Sequence, residues 1–290
     1  MKEFGEVLEN VDLKKYNTYR IGGKARYLIK PYNIKSLELL INYLNNNNIK
    51  YLVIGNGSNI ILPDEDYDGV IILLSNLNKC IINKDEVYVE VGEMLNVFVM
   101  NIVNNNLGGI ENLCGIPGTL GGAIVQNAGC YGTNISDKLI SVSYLENGKI
   151  FEIKNSECNF SYRDSIFKND KNKIILSAKF KFNFKNKDEM LSIIKENNQK
   201  RKNSQPLEYP NAGSVFRNPV NLSSGKLIDE AGLKGYNIND AYVSIKHANF
   251  IINRGNATSK DIIDLINYIK KVILEKYNIE LILEQEIIKY

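Results

Sequence analysis

A chain of 290 residues can bury two or three separate cores. Its 44% hydrophobic and 24% charged residues and net charge of +3 offer no general basic footprint for nucleic acid. No run approaches the roughly 18 apolar residues that span a bilayer, which points to a cytosolic protein without a membrane partner. Cys80, Cys114, Cys130 and Cys158 form no C-x-x-C pair and His247 is the only histidine, which argues against both a zinc site and a Ser-His-Asp triad.

In chain order, Lys14–Pro31 begins as a loop, turns at Gly22-Gly23 and ends as a strand. Leu37, Leu40, Ile41 and Leu44 then fall at i, i+3, i+4, i+7, a helix that Asn33 can cap and Asn45–Asn48 end. The strand Tyr51–Ile54 enters the loop Gly55-Asn56-Gly57-Ser58-Asn59 and leaves through Ile60–Leu62. This loop opens no helix and fits neither a Rossmann fingerprint nor a P-loop. Its successive N–H groups can still form an anion-binding concavity.

Short strands are expected at Val70–Leu74, Cys80–Ile82 and Val87–Val91. The stripe Leu95, Phe98, Val99, Ile102 and Val103 forms a second helix and delivers the chain to its most distinctive stretch. Gly108–Gly132 carries eight of the 21 glycines in 25 residues. Ile116, Leu120, Ala123, Ile124 and Val125 interleave those glycines, so the stretch reads as buried backbone brought close to a ligand rather than as plain turns.

Beyond it, Asn147-Gly148 joins Leu139–Leu145 to Lys149–Ile153 as a type I′ hairpin. Ile174–Phe182 alternates as a strand, a helix runs from Asp188 to about Lys200, and Arg201–Pro206 has linker character. A loop (Leu207–Pro219), a short helix (Lys226–Ala231) and strands near Tyr242–Ile245 and Phe250–Ile252 follow. Thr258 caps a long helix with Ile262, Ile266, Ile269 and Ile273 at helical spacing, and Glu280–Lys289 is a final strand.

Three polar groups stand apart from the glycines. Arg163, in Ser161–Ser165, offers a planar fork for a carboxylate or phosphate, or simply pairs with Asp164 at the surface. Ser214 sits in the stiff loop Tyr209–Pro219, where small neighbours admit a ligand or the hydroxyl closes its own turn. Glu284 and Glu286 share one face of a strand, which alone is an ordinary solvated face.

Taken together, Asn17–Gly23, Gly55–Asn59, Gly115–Gly132, Ser161–Asp164, Ala212–Pro219 and Leu283–Ile287 resemble, in order, the motifs of the UDP-N-acetylenolpyruvoylglucosamine reductases. This flavoenzyme family (MurB) makes UDP-N-acetylmuramate for peptidoglycan. The resemblance implies an α+β fold: an FAD-binding part of the vanillyl-alcohol-oxidase/PCMH type in two subdomains (1–75 and 76–200), then a substrate-binding domain (201–290). FAD would lie between the subdomains, and the last strand could pack back on the first.

Residues implied to bind FAD are Gly55, Asn56, Gly57, Ser58 and Asn59, then Gly115, Ile116, Pro117, Gly118, Gly121 and Gly122, and finally Asn127, Ala128 and Gly129. With His247 far outside these loops, the FAD is expected to be noncovalent. By the same carry-over Arg163, Ser214 and Glu286 are catalytic, Arg217 and Asn218 contact substrate, NADPH donates hydride, and no metal is required. Gln126, Cys130 and Gln285 depart from the family's usual Met, Ala and Pro, and the length fits the shorter subtype. A sugar or alcohol oxidase of the same superfamily, or a flavin-storing scaffold, would share the glycine loops without needing the serine and glutamate elements.

Overall fold

A computed structural model describes residues 1–290 and divides them into two units. The first takes 1–9, 27–56 and 69–199; the second takes 10–26, 57–68 and 200–290.

The first unit is built on a five-stranded antiparallel sheet. Its order is Lys149–Lys154, Leu139–Glu146, Ile174–Lys181, Glu86–Glu90, Cys80–Asn83. The hairpin closes as its sequence requires, with Asn147 at φ 50° and Gly148 at φ 73°, so both turn residues are left-handed. Ile174–Lys181 is buried at every residue through Ala178 and alternates only beyond it; Ala178 and Phe180 enter a core shared with the helix Leu95–Asn104. Phe98 is fully buried with its ring centroid 5.2 Å from that of Phe180. Burying such a ring stabilises by about 1.5–3 kcal/mol.

A second core lies under the helix Ile34–Asn46, whose cap is the expected one: Asn33 Oδ1 accepts from the Ser36 N–H at 2.9 Å. Leu37, Leu40, Ile41 and Leu44 pack there against Ile29, Val70 and Ile72. Tyr51–Ile54 runs parallel to residues 70–73. The strand Gly5–Asp12 carries no alternating pattern, because half of its residues are exposed.

In the second unit the long helix is Ser259–Tyr277. Thr258 and Asp261 form a reciprocal capping box, and Asn278 ends the helix in the left-handed region at φ 54°. Ile262, Ile266, Ile269 and Ile273 are buried, in a core shared with the three-stranded sheet Asn237–Ile238, Ala241–Val243, Ile251–Asn253.

Two sequence expectations need correction. Arg201–Ser204 is no linker: the helix Lys187–Ser204 continues through it, since nothing before Pro206 breaks a helix and cations suit its last turn. The final strand is also shorter than Glu280–Lys289. Glu286–Ile287 pairs in parallel with Ile60–Ile61, and Leu283 makes one bridge to Phe216.

Candidate active site

The glycine stretch of the first unit enters through a buried acid. Glu111 accepts from the Gly109 N–H at 2.6 Å and from Lys185 Nζ. Burial alone would raise its pKa, but Lys185 and the nearby N–H groups outweigh that and hold the carboxyl below its ordinary range. Asn112, which the sequence reading passed over, then ties the two ends of the stretch together. Its Nδ2 donates to Thr133 Oγ1 at 2.9 Å, and its carbonyl accepts from Cys130 Sγ at 2.9 Å.

Gly118 is buried at φ 130° and its carbonyl accepts from the Leu95 N–H. Thr119 Oγ1 caps the short helix Leu120–Val125. The amides of Leu120, Gly121 and Gly122 are used within the protein, by Glu93 O, Val91 O and Thr119 Oγ1. What Gly122 offers a ligand is therefore bare, exposed backbone; a Cβ there would meet only Thr119 Oγ1, at 3.6 Å. At Gly55 a Cβ would stand 2.6 Å from that same Thr119 Oγ1. Two loops 64 positions apart thus meet through a glycine.

Arg163 joins the far end of the stretch. It occupies the left-handed region at φ 57°, in a tight turn closed by reciprocal Ser161–Asp164 backbone bonds of 3.2 and 3.3 Å. A non-glycine residue held there stores strain that the surroundings must repay. They do so: Arg163 Nη2 donates to Gly129 O at 2.7 Å, and Lys168 Nζ donates to both Arg163 O and Gln126 Oε1. Asn127, also left-handed, donates to Ser161 O at 2.9 Å, while its Oδ1 is buried without a hydrogen-bond partner. Arg163, Gln126, Asn127 and Gly129 are thus brought together; Lys168 was not foreseen.

In the second unit Ser214 and Glu286 are half-buried on neighbouring extended segments. The Glu284 N–H donates to Val215 O at 2.8 Å, and the Glu286 N–H to Asn59 O at 2.9 Å. Asn249, 4% exposed, clamps Phe216 by accepting its N–H at 2.9 Å and donating to its carbonyl at 2.8 Å. Asn218 Oδ1 accepts from the Ser224 N–H, and the Arg217 carbonyl accepts from Ser224 Oγ. Gly57 belongs here too, with φ 64° and a hypothetical Cβ only 2.4 Å from Tyr16 O. A pocket of about 370 Å³ bounded by Lys14, Lys15, Asn17, Arg20 and Gly255–Ala257 includes none of Ser214, Arg217, Asn218 and Glu286.

Residues 25–154 match the family model of an FAD binding domain, and residues 205–288 that of the UDP-N-acetylenolpyruvoylglucosamine reductase C-terminal domain. The chain is 45% identical over 284 residues to the UDP-N-acetylenolpyruvoylglucosamine reductase of Carboxydothermus hydrogenoformans, covering 97% of this chain and 94% of that relative. The chain belongs to the UDP-N-acetylenolpyruvoylglucosamine reductase family. The Bacillus subtilis reductase is 37% identical across 99% of this chain and 95% of its own length. The crystal structure of the Thermus caldophilus family member superposes with a TM-score of 0.83 at 31% identity, covering 98% of this chain and 99% of that one.

As a member of that family the chain is an FAD-dependent oxidoreductase with the α+β fold its motifs implied, and its length fits the shorter subtype. The first unit suits the cofactor. Side-chain-free, exposed backbone at Gly122 and the orphaned Asn127 Oδ1 are what a large planar, hydrogen-bonding ligand needs. No helix is long and apolar enough to cross a membrane.

Proposed function

We propose that this enzyme works in the cytoplasm and reduces the enolpyruvyl ether of UDP-N-acetylenolpyruvoylglucosamine to UDP-N-acetylmuramate, with hydride drawn from NADPH. FAD, held by Gly55–Asn59, Gly115–Gly122 and Asn127–Gly129, supplies the hydride carrier. Support for the reaction comes chiefly from the paired placement of a hydroxyl and a carboxyl: Ser214 and Glu286 sit on segments joined by the Glu284–Val215 bond.

Hydride arriving at the terminal carbon of the double bond builds negative charge on its neighbour, which spreads into the adjoining carboxylate. Arg163 is fixed by Gly129 O and donates to that carboxylate as its charge grows. Glu286 supplies a second hydrogen bond to the same developing charge. Ser214 then delivers its proton to the carbanionic carbon; a hydroxyl is a weak acid, but this carbon is a strong base. Arg217 and Asn218, on the stiff stretch after Ser214, contact the substrate.

Anaerobic titration tests this in two steps. NADPH should bleach the flavin band near about 450 nm, and the enolpyruvyl substrate should restore it without oxygen. A band that NADPH leaves intact, or that only oxygen restores, would overturn the proposal, the latter in favour of an oxidase.

A further inference from the structure

We propose that Gln285 is a positioning residue that sets the Ser214 hydroxyl and the Glu286 carboxyl in one frame, using the Tyr19 phenol as its anchor. The inference rests on the catalytic roles proposed above for those two residues.

Gln285 is 3% exposed, and its side-chain amide is fully engaged. Oε1 accepts from the Tyr19 hydroxyl at 3.0 Å, while Nε2 donates to Ala212 O at 3.1 Å and to Gly213 O at 3.2 Å. The two carbonyls are those immediately before Ser214. They also fix the amide's orientation, since a reversed amide would face its oxygen toward two other oxygens.

Gly213 lies at φ 74°, and a Cβ built there would meet nothing within 4 Å. Between the buried Ala212 and Val215, the turn at Gly213 is thus not itself wedged by packing. It is held by polar contacts: Gln285 from one side, and Asn211 Oδ1, which accepts from the Gly213 N–H at 3.0 Å. After Ser214 the chain is already fixed, because the Val215 N–H donates to Asn249 O at 2.9 Å.

Gln285 lies buried at a bend immediately before the strand Glu286–Ile287, so its anchored amide fixes where the chain enters that strand. The same residue therefore ties the Ser214 turn to the start of the segment that carries Glu286. Tyr19 is wholly buried and its own carbonyl accepts from Asn253 Nδ2 at 3.0 Å, so the anchor cannot drift. Apolar residues or proline at 285 would leave Ala212 O, Gly213 O and the Tyr19 hydroxyl without this partner.

The test is a cycle of Gln285→Met and Ser214→Ala, read in the two half-reactions of the flavin-loaded enzyme. Misplacing a catalytic group by an ångström costs on the order of 100-fold. Gln285→Met should slow substrate-driven reoxidation by about 10- to 100-fold while NADPH-driven bleaching keeps its rate. In the Ser214→Ala background the same change should cost clearly less, because only the share carried through Glu286 remains. Amide hydrogen exchange at Ser214 and Val215 should speed up in Gln285→Met, a readout independent of turnover.

Additive losses, or an equal slowing of both half-reactions, would overturn the positioning role. Reoxidation at full rate in Gln285→Met beside a slow Ser214→Ala would overturn it alone. Ser214→Ala at full rate would instead remove the catalytic reading, and this proposal with it. If Gln285→Met does not fold, Tyr19→Phe carries the same comparison by deleting a single bond. Unchanged exchange and unchanged reoxidation in that variant would overturn the proposal; slowing of that half-reaction with faster exchange would support it.

Discussion

Arg163 apart, the first unit builds its functional region from backbone and the second from side chains. Gly55 and Gly122 matter for the Cβ they lack, beside the Thr119 cap, and Gly118 for its φ of 130°. Ser214, Glu286, Gln285 and Asn249 matter for the groups they carry, each on a segment whose main chain is tied down separately. A cofactor that must merely be admitted can be met by absent atoms. A proton that must be delivered to one carbon needs a functional group at a set position. The second unit should therefore respond to mutation in rate and the glycine loops of the first in affinity and stability, with Arg163 the first unit's one contribution to rate.

The largest expected effect lies in the second unit. Ser214→Ala should slow flavin reoxidation by the enolpyruvyl substrate by about 100- to 10,000-fold and leave bleaching by NADPH nearly unchanged, as stopped-flow absorbance would show. Equal slowing of both steps would remove the general-acid role. Next comes Arg163→Ala, with a loss of about 100- to 1000-fold in the same half-reaction. Arg163→Lys should recover only part of it, because an ammonium cannot match a planar fork that also holds Gly129 O. Glu286→Gln, which keeps a donor, should stay well above Glu286→Ala in rate if the donor role holds.

Much of this division was legible in the sequence, and what escaped had physical reasons. Periodic elements came through where burial follows period, as at Ile262, Ile266, Ile269 and Ile273; the strand from Ile174 came through as a strand, but it is buried at every residue to Ala178 and divides between two cores. The Asn147-Gly148 hairpin came through because both residues tolerate positive φ. Arg201–Ser204 misled because polarity was taken for a linker, although a helix needs only the absence of a breaker.

The partners of the proposed site residues were invisible because they are distant in sequence and contribute single hydrogen bonds. Lys168, Asn112 and Asn249 carry no local signature, and Tyr19, though inside the matching segment Asn17–Gly23, meets a partner 266 positions away. One signal was present in the departures from the family pattern. Gln126, Cys130 and Gln285 each turn out to hold a specific bond, to Lys168, Asn112 O and the Ser214 turn respectively. A buried polar residue where the family has an apolar one points to a partner elsewhere.

Two glycines sharpen the comparison from the first unit's side. Gly118→Ala forces a Cβ onto a backbone at φ 130° and should cost about 1–3 kcal/mol, seen as a lower urea midpoint. Gly122→Ala sits in a helix with open space around it, so it should stabilise by up to about 1 kcal/mol while weakening FAD. Flavin affinity by fluorescence quenching separates the two: a Gly122→Ala chain that binds FAD as tightly as wild type would show that its bare surface does not face the cofactor.

The smallest effect tests whether the glycine stretch is held at its entrance by charge. Glu111 has a folded pKa below its unfolded value of about 4.3, so its ionised form stabilises the fold. That contribution is complete above the unfolded value and is lost as pH falls through the folded one. Glu111→Gln should therefore cost about 1 kcal/mol at pH 7, with the gap to wild type closing below roughly pH 4. Urea unfolding at pH 7, 5 and 3.5 reads this directly, and a gap that stays constant would mean that shape, not charge, holds Glu111 to Lys185 and Gly109. Tyr19→Phe is the control from the other unit. Its bond joins a phenol, whose pKa burial pushes upward, to a neutral amide, so its cost should not vary across the same range. An acid-sensitive entrance in one unit beside a pH-indifferent turn in the other would be the same contrast read in stability rather than rate.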